Sequence, residues 1–301
     1  MKKTLEIKIE SEMNGLAIKA VLSRWLGLSR REISRLKFSQ GILYNGERAR
    51  ITQSVETGGM ITLTFPDQDT AAATLLSGRP DILYEDSDLI IVNKPAGMPC
   101  HPSHEHLDDD MGTLLQNYYG GSFTVRAIGR LDKDVSGIML YAKNQPAAAR
   151  LSKQRSELIL HKEYTAIVKG HFNDKKGTLT YSLAKAPGHR DRKVTAEGQK
   201  CITDYEVIDE CEEGSMLKVS IVTGRTHQIR AGMAYASHPL YGDRLYSGET
   251  GDMKRPALHC SRLELKQPFT GENITVSLDL PDDMQALWQR KKVLLTPTRL
   301  L

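Results

Sequence analysis

Apolar residues near the N-terminus recur with helical spacing. Ile18, Val21, Leu22 and Trp25 fall at i, i+3, i+4 and i+7, which predicts an amphipathic helix over 15–26 ended by Gly27. Ser29-Arg30-Arg31-Glu32 has the form of a capping box and predicts a second short helix to about Phe38. On it, Arg31 and Arg35 lie one turn apart and share a face. Ile42-Leu43-Tyr44 and Glu47-Arg48-Ala49-Arg50 then flank Asn45-Gly46, a strong signal for a two-residue hairpin turn. Alternation over 60–65 predicts a closing strand.

From Asp81 onward the period changes. Ile82-Leu83-Tyr84 and Leu89-Ile90-Ile91-Val92 predict two strands joined by a turn at 85–88. A further strand is expected at 138–142, then a helix from Pro146 to about Glu157, with proline at its favoured first position. Residues 162–168 alternate as a strand; 217–223, 261–265 and 274–280 do so more weakly. Pro281-Asp282-Asp283 opens a C-terminal helix with acids in its first turn. Few helices and many strands predict an α+β chain on a mixed, mainly antiparallel sheet, not a doubly wound parallel one. The expected division is a small module at 1–66, a linker rich in alanine, proline and glycine at 67–80, a main domain at 81–285, and a helix and tail at 286–301.

Charge sharpens this division. The whole chain carries +4, but residues 15–50 hold eight cations against two acids, a net of +6 that leaves −2 for the rest. A basic module on a near-neutral body is the footprint of a unit that tracks phosphates; a solvated helical face is the alternative reading. The four cysteines are scattered without metal-ligand spacing, which fits free thiols in a reducing cytoplasm. No signal peptide or membrane-spanning run is expected. His101, His104 and His106 with Asp108-Asp109-Asp110 suggest a metal cluster at first sight. The stretch has no helical or strand support, so an acidic loop is expected and no metal.

The candidate chemistry centres on Gly129-Arg130-Leu131-Asp132-Lys133-Asp134-Val135-Ser136-Gly137, which runs straight into the apolar stretch 138–142. This places Asp132 at the rim of a sheet, where Arg130 and Lys133 favour an ionised carboxylate. Taken alone, an aspartate in such a turn is most often a capping residue. Three other segments accompany it: 81–98 with Lys94-Pro95 and His101-Pro102; Lys162-Glu163-Tyr164-Thr165-Ala166 to Gly170; and Thr223-Gly224-Arg225-Thr226-His227-Gln228-Ile229-Arg230 with 238–243 and 255–260. Together and in this order they resemble the RluA-type pseudouridine synthases, over about residues 81–281. The spacing from Ser29 to Gly46 resembles the S-four-type RNA-binding domain, over about residues 14–65.

The resemblance implies an isomerase that converts uridine in RNA to pseudouridine, with no cofactor and no metal. Asp132 would be the carboxylate, either attacking the anomeric carbon or removing a sugar proton. Arg230, on a helix beginning near Thr226, would pair with Asp132 bidentately. Tyr164 would stack on the uracil and help remove the proton from the rejoined carbon. Leu258 would form an apolar wall, Arg130 would fill the space of a flipped-out base, and Arg225 would meet phosphate. Arg30, Arg31, Arg35 and Lys37 would face phosphates in the N-terminal module. His227 is expected as a structural residue at a helix start. Gly129, Val135 and Cys260 depart from the usual histidine, threonine and alanine of the family. The expected partner is RNA, ribosomal ahead of transfer, and the expected state a cytoplasmic monomer. A non-catalytic RNA-binding or ribosome-assembly factor is the alternative from another class.

Overall fold

The computed structural model describes residues 3–28, 33, 36–37, 39–65, 78–101, 109–185, 191–247, 251 and 253–293. Arg30, Arg31 and Arg35, with most of the expected second helix, lie outside the described residues, as does most of the expected linker.

The N-terminal unit is a four-stranded antiparallel sheet in the order β1-β4-β2-β3, made of Lys3–Lys8 (β1), Ile42–Tyr44 (β2), Glu47–Arg48 (β3) and Met60–Phe65 (β4). Helix α1, Ile18–Arg24, buries Ile18, Val21 and Leu22 against it, as the spacing requires. Asn45 and Gly46 both take positive φ, 51° and 84°, the pair that a two-residue type I′ turn needs. Leu28 N–H reaches back to the Leu22 carbonyl around Gly27, whose φ is +65°. Ala149 of the main domain joins the apolar cluster of this unit, and the Gly27 backbone lies against Lys153.

The main domain is built on one large mixed sheet in the order β11-β10-β12-β13-β9-β14-β8-β6-β5. Its strands are Ile82–Glu85 (β5), Leu89–Lys94 (β6), Arg126–Ala127 (β7), Ser136–Ala142 (β8), His161–Lys169 (β9), Lys176–Lys185 (β10), Arg192–Val194 (β11), Gln199–Cys211 (β12), Gly214–Ile221 (β13), Leu258–Lys266 (β14) and Asn273–Ser277 (β15). β7 pairs with β8, and β15 with β14. All the pairings are antiparallel except β8 with β14, which is parallel at Ser136–His259 and Gly137–Cys260. The α+β sheet expected from the strand pattern is therefore present. β8 is buried along its whole length, which explains its continuous apolar run.

Helix α2, Met111–Tyr118, is capped by Asp110, whose side chain accepts Thr113 N–H. Helix α3, Gln145–Ser156, is capped by Asn144, so Pro146 stands at the second helical position and not the first. Helix α4, Gln228–Tyr235, and the short α5, Arg244–Ser247, sit near β10 to β12. Helix α6, Asp282–Val293, packs Met284, Leu287 and Trp288 on Ile167 and Tyr241. The boundary expected at 285/286 thus falls within a helix that belongs to the main domain. No helix among the described residues is long and apolar enough to cross a membrane.

The parallel junction between β8 and β14 constrains two residues. A Cβ on Gly137, at φ +114°, would lie 2.3 Å from the Cys260 carbonyl oxygen, so only glycine fits. Beside it, buried His259 places Nδ1 2.8 Å from Ser136 Oγ, while its Nε2 has no hydrogen-bond partner among the described residues. Burial, helped by the Arg255 charge, pushes the His259 pKa down to about 4. The unfolded imidazole binds its proton near pH 6.5. Between these values the unfolded chain holds the extra proton, so stability is intact above about pH 6.5 and falls as the pH drops toward 4. This group should make the protein about 2–3 kcal/mol less stable at pH 4.5 than at pH 7.5. Urea denaturation at both pH values should show that difference shrinking by about this amount in His259→Asn; an unchanged difference would place the acid sensitivity elsewhere.

Candidate active site

The 129–135 loop enters β8 at the parallel junction. Val135 N–H closes a turn onto the Asp132 carbonyl at 3.1 Å, and this turn lifts the Asp132 side chain to the rim, 23% exposed. The loop is held from below by the segment after β6. Gly97 N–H donates to the Lys133 carbonyl at 2.9 Å, and Leu131 N–H lies 3.2 Å from Cys100 Sγ. Tyr141 Oη fixes the Cys100 carbonyl at 2.7 Å.

Lys94 joins the two loops. Its buried ammonium donates to the carbonyls of Pro95 (2.7 Å), Met98 (2.7 Å) and Lys133 (3.1 Å). Burial pushes its pKa down to about 8, opposed by the neighbouring Cys100, Asp134 and Asp132. Lys94→Met removes one donor from three carbonyls and should cost about 2–4 kcal/mol, since unpaired buried acceptors are expensive. It should also slow the reaction more than it weakens RNA binding, because the Asp132 loop loses its anchor. Equilibrium unfolding alongside single-turnover rates checks this; a fully stable Lys94→Met protein would show that the carbonyls find other donors.

Helix α4 faces the loop from the opposite side. Arg230 Nη1 donates to Asp132 Oδ2 at 3.3 Å. The bidentate fork expected on Asp132 is instead made with Asp243: Nε at 2.7 Å to Oδ2 and Nη2 at 2.8 Å to Oδ1. Asp243 is fully buried and the Arg230 side chain is 8% exposed, so the strong pair lies in the interior and Asp132 receives the one remaining guanidinium edge. Burial opposes the Arg230 charge, but hydrogen bonds and charge from Asp243, then from Asp132, outweigh it and raise the pKa above the ordinary guanidinium value.

The helix begins at Gln228, not at Thr226. His227 is its N-cap in the left-handed region (φ 56°, ψ 21°), with Nε2 3.9 Å from Asp132 Oδ2 and Nδ1 3.0 Å from Tyr246 Oη. Burial lowers its pKa, against the attraction of Asp132. Gln228 ties down the approach to the helix: its Oε1 accepts Thr223 Oγ1–H at 2.8 Å and Arg225 N–H at 3.0 Å, and its Nε2 donates to Ile202 and Thr203 on β12.

Tyr164 stands on β9 between Val219 of β13 and Cys260 of β14, and is 5% exposed. Burial, then the nearby Cys260, Asp132 and Cys100, raises its pKa well above 10, so it is a neutral phenol at neutral pH. Leu258 starts β14 and is buried, opposite Ala166. Arg130 is exposed, and its Nη2 reaches Thr226 Oγ1 at 3.0 Å, from the Asp132 loop to the loop before α4. Arg225 is exposed on that second loop, and Lys37 is exposed in the N-terminal unit.

Asp132, Arg230, Tyr164, Leu258 and Arg130 thus come from four distant stretches to one rim of the sheet. Asp243, Tyr246, Gln228 and Lys94 support them and were not singled out from the sequence as site residues. Asp243 had a signal: a guanidinium buried beside one rim carboxylate keeps donors to spare, and an acid at a Tyr-Gly-Asp turn was available for them. Among the described residues no group of acids, histidines and cysteines is placed to hold a metal ion.

The fold and site thus combine a mixed sheet, a carboxylate presented at its parallel junction and a guanidinium reaching it from a facing helix. Residues 88–235 match the model of the RNA pseudouridylate synthase family. The chain is 35% identical to the uncharacterised RNA pseudouridine synthase YjbO of Bacillus subtilis, over 87% of this chain and 95% of that one. It is 30% identical to ribosomal large subunit pseudouridine synthase D of Escherichia coli K12, over 92% and 91%. Its fold is shared with human RNA pseudouridylate synthase domain containing 4, with a TM-score of 0.57, 22% identity, and coverage of 70% of this chain and 92% of that one. The chain belongs to the RNA pseudouridine synthase family, and the protein is an isomerase acting on uridine in RNA.

Proposed function

We propose that this enzyme modifies uridine in large-subunit ribosomal RNA, with Asp132 as the reacting carboxylate. The observation that carries the site assignment is the approach of Arg230 Nη1 to Asp132 from a guanidinium locked on buried Asp243. A carboxylate at the rim with its partner fixed behind it is organised for attack or proton removal, and that pairing argues against a non-catalytic binding protein. The likeness to the Escherichia coli ribosomal large subunit enzyme supports ribosomal RNA ahead of transfer RNA.

The reaction breaks the N1–C1′ bond of uridine, turns the uracil, and forms a C5–C1′ bond. The C5 proton leaves and N1 gains one, so no electrons enter or depart. Asp132 either bonds to C1′ as N1 leaves or removes a ribose proton that is later returned. Tyr164, buried near Asp132, serves as a neutral phenol beneath the uracil. With its pKa raised by burial it stacks and donates a hydrogen bond more readily than it accepts the C5 proton. Leu258 supplies apolar surface for the turning uracil. Arg130, exposed and bridging to Thr226, is placed to enter the space left by the flipped nucleotide, with Arg225 toward phosphate.

The basic N-terminal unit is assigned as an S-four-type RNA-binding domain on its two-helix and hairpin sequence pattern and its cations Arg30, Arg31, Arg35 and Lys37. Neutralising these four together should flatten the salt dependence of RNA binding by about 0.7–0.9 in log–log slope per lost phosphate contact. Turnover at saturating RNA should persist; an unchanged slope would transfer the phosphate contacts to the main domain. A cytoplasmic monomer accompanies this reading. The deciding experiment maps carbodiimide-stable adducts after incubation with large-subunit ribosomal RNA and with transfer RNA. Modification of transfer RNA alone would overturn the ribosomal assignment.

A further inference from the structure

Behind the Asp132 carboxylate stands an arrangement that the mechanism above does not use. His227 takes a left-handed backbone at the N-cap of α4, a conformation that residues with a Cβ adopt only under strain. An N-cap side chain ordinarily accepts hydrogen bonds from the first turn; that of His227 makes none. Both of its ring nitrogens are addressed from other elements. Nδ1 lies 3.0 Å from Tyr246 Oη, and Nε2 lies 3.9 Å from Asp132 Oδ2. Tyr246 Oη in turn accepts the Arg192 backbone N–H at 2.8 Å, and the Tyr246 ring meets His227 edge to face. The Arg230 guanidinium lies 5.4 Å from the centroid of the same ring. Tyr246 therefore touches both groups that flank Asp132.

A phenol has one proton to give, and the Tyr246 oxygen already accepts from Arg192. His227 Nδ1, 3.0 Å away, stands where it can accept that proton. A neutral imidazole that accepts at Nδ1 carries its proton on Nε2, the nitrogen that faces Asp132. The opposite tautomer would turn a lone pair toward a carboxylate oxygen. Both ends of the ring favour the same tautomer. The charged groups around it are Asp132, Arg230, Asp243 and Arg192, and burial, the dominant influence, keeps the ring in its neutral form at neutral pH.

We propose that Tyr246 and His227 are positioning residues for Asp132: Tyr246 fixes His227 as the Nε2–H tautomer, and that N–H joins Arg230 Nη1 on Oδ2, leaving Oδ1 as the oxygen that meets the ribose. The proposal rests on the reading of Asp132 as the reacting carboxylate. The N–H···O distance of 3.9 Å is open in the free protein and closes by about 1 Å when the target nucleotide seats, as hydrogen bonds of reacting groups tighten on substrate binding.

The test has two arms, both on the full chain. In the first, 15N spectra of histidine-labelled protein at pH 7–8 are recorded, with His227 assigned by its loss in His227→Gln. A protonated Nε2 and unprotonated Nδ1 are expected in the wild type, with the preference lost in Tyr246→Phe. A protonated Nδ1, or an even mixture in the wild type, overturns the proposal whatever Asp132 does. In the second, single-turnover rates are measured at saturating RNA. Tyr246→Phe keeps the ring against Arg230 but unpairs the Arg192 N–H, so the rates are compared at a temperature where a melt shows both proteins folded. Its rate should fall on the order of 10- to 100-fold with affinity unchanged, as loss of an outer-shell partner does elsewhere. His227→Gln, whose amide N–H occupies the place of Nε2, should retain more of the rate than His227→Ala. Wild-type rates in Tyr246→Phe, or equal losses in the two His227 variants, overturn the positioning role. An active Asp132→Asn protein overturns the parent reading instead, and the tautomer arm distinguishes that failure from this one.

Discussion

Asp132→Asn should lose isomerisation by on the order of 10³-fold or more, with the fold and RNA affinity nearly unchanged. The amide matches the carboxylate in shape but neither attacks C1′ nor takes a ribose proton. The structural cost is small for two reasons. The side chain stands at the rim, 23% exposed, and it receives a single Arg230 contact at 3.3 Å. Arg230 keeps its fork on Asp243, so the substitution strands no buried charge. Single-turnover rates at saturating RNA, a thermal melt and an RNA titration together check the expectation. Activity near that of the wild type would remove Asp132 from the chemistry altogether.

Arg230→Ala should abolish activity and also destabilise the protein by about 3–5 kcal/mol, the cost of leaving one partner of a buried pair uncompensated. The magnitude follows from Asp243, which is fully buried and loses both short guanidinium bonds at once. Among the described residues its side chain then keeps the Leu245 N–H at 3.2 Å, and one neutral donor does not compensate a buried charge. A second variant separates stability from chemistry. Arg230→Met combined with Asp243→Leu removes both charges and should recover most of the lost stability, since an apolar pair of similar volume replaces a buried ion pair at little cost. It should recover no activity, because Asp132 still lacks its guanidinium. Equilibrium unfolding of the single and double variants measures this. An Arg230→Ala protein as stable as the wild type would mean that water compensates Asp243.

Local pattern carried much of the fold. Asn45-Gly46 demanded a hairpin because two successive positive φ values suit few other dipeptides, and the hairpin is there. The continuous apolar run at 138–142 marked a strand, and the structure buries it along its whole length as β8, inside the large sheet. The long strands β10 and β12 were not among the elements expected from the sequence. On β10, Thr178, Thr180 and Ser182 alternate with the more deeply buried Leu179, Tyr181 and Leu183, as a sheet with one solvated face requires, whereas β12 carries no such regular alternation over its length.

At the site, the amino-acid sequence by itself determined which groups were present: a carboxylate in a turn before a strand, a tyrosine on an alternating strand, an arginine on a short helix. It carried the family likeness for the same reason, since a reacting group and its immediate neighbours are contiguous. The tertiary structure alone decided how those groups divide their hydrogen bonds. Arg230 has a planar fork and an outer edge, and packing of α4 against the turn at Asp243 aims the fork inward, leaving the edge for Asp132. Likewise Tyr246 meets His227 and Arg192 only because α5, the start of α4 and β11 converge. A donor's direction depends on the orientation of elements far apart in the chain. No local spacing encodes that, so the choice between Asp132 and Asp243 for the fork was made by packing.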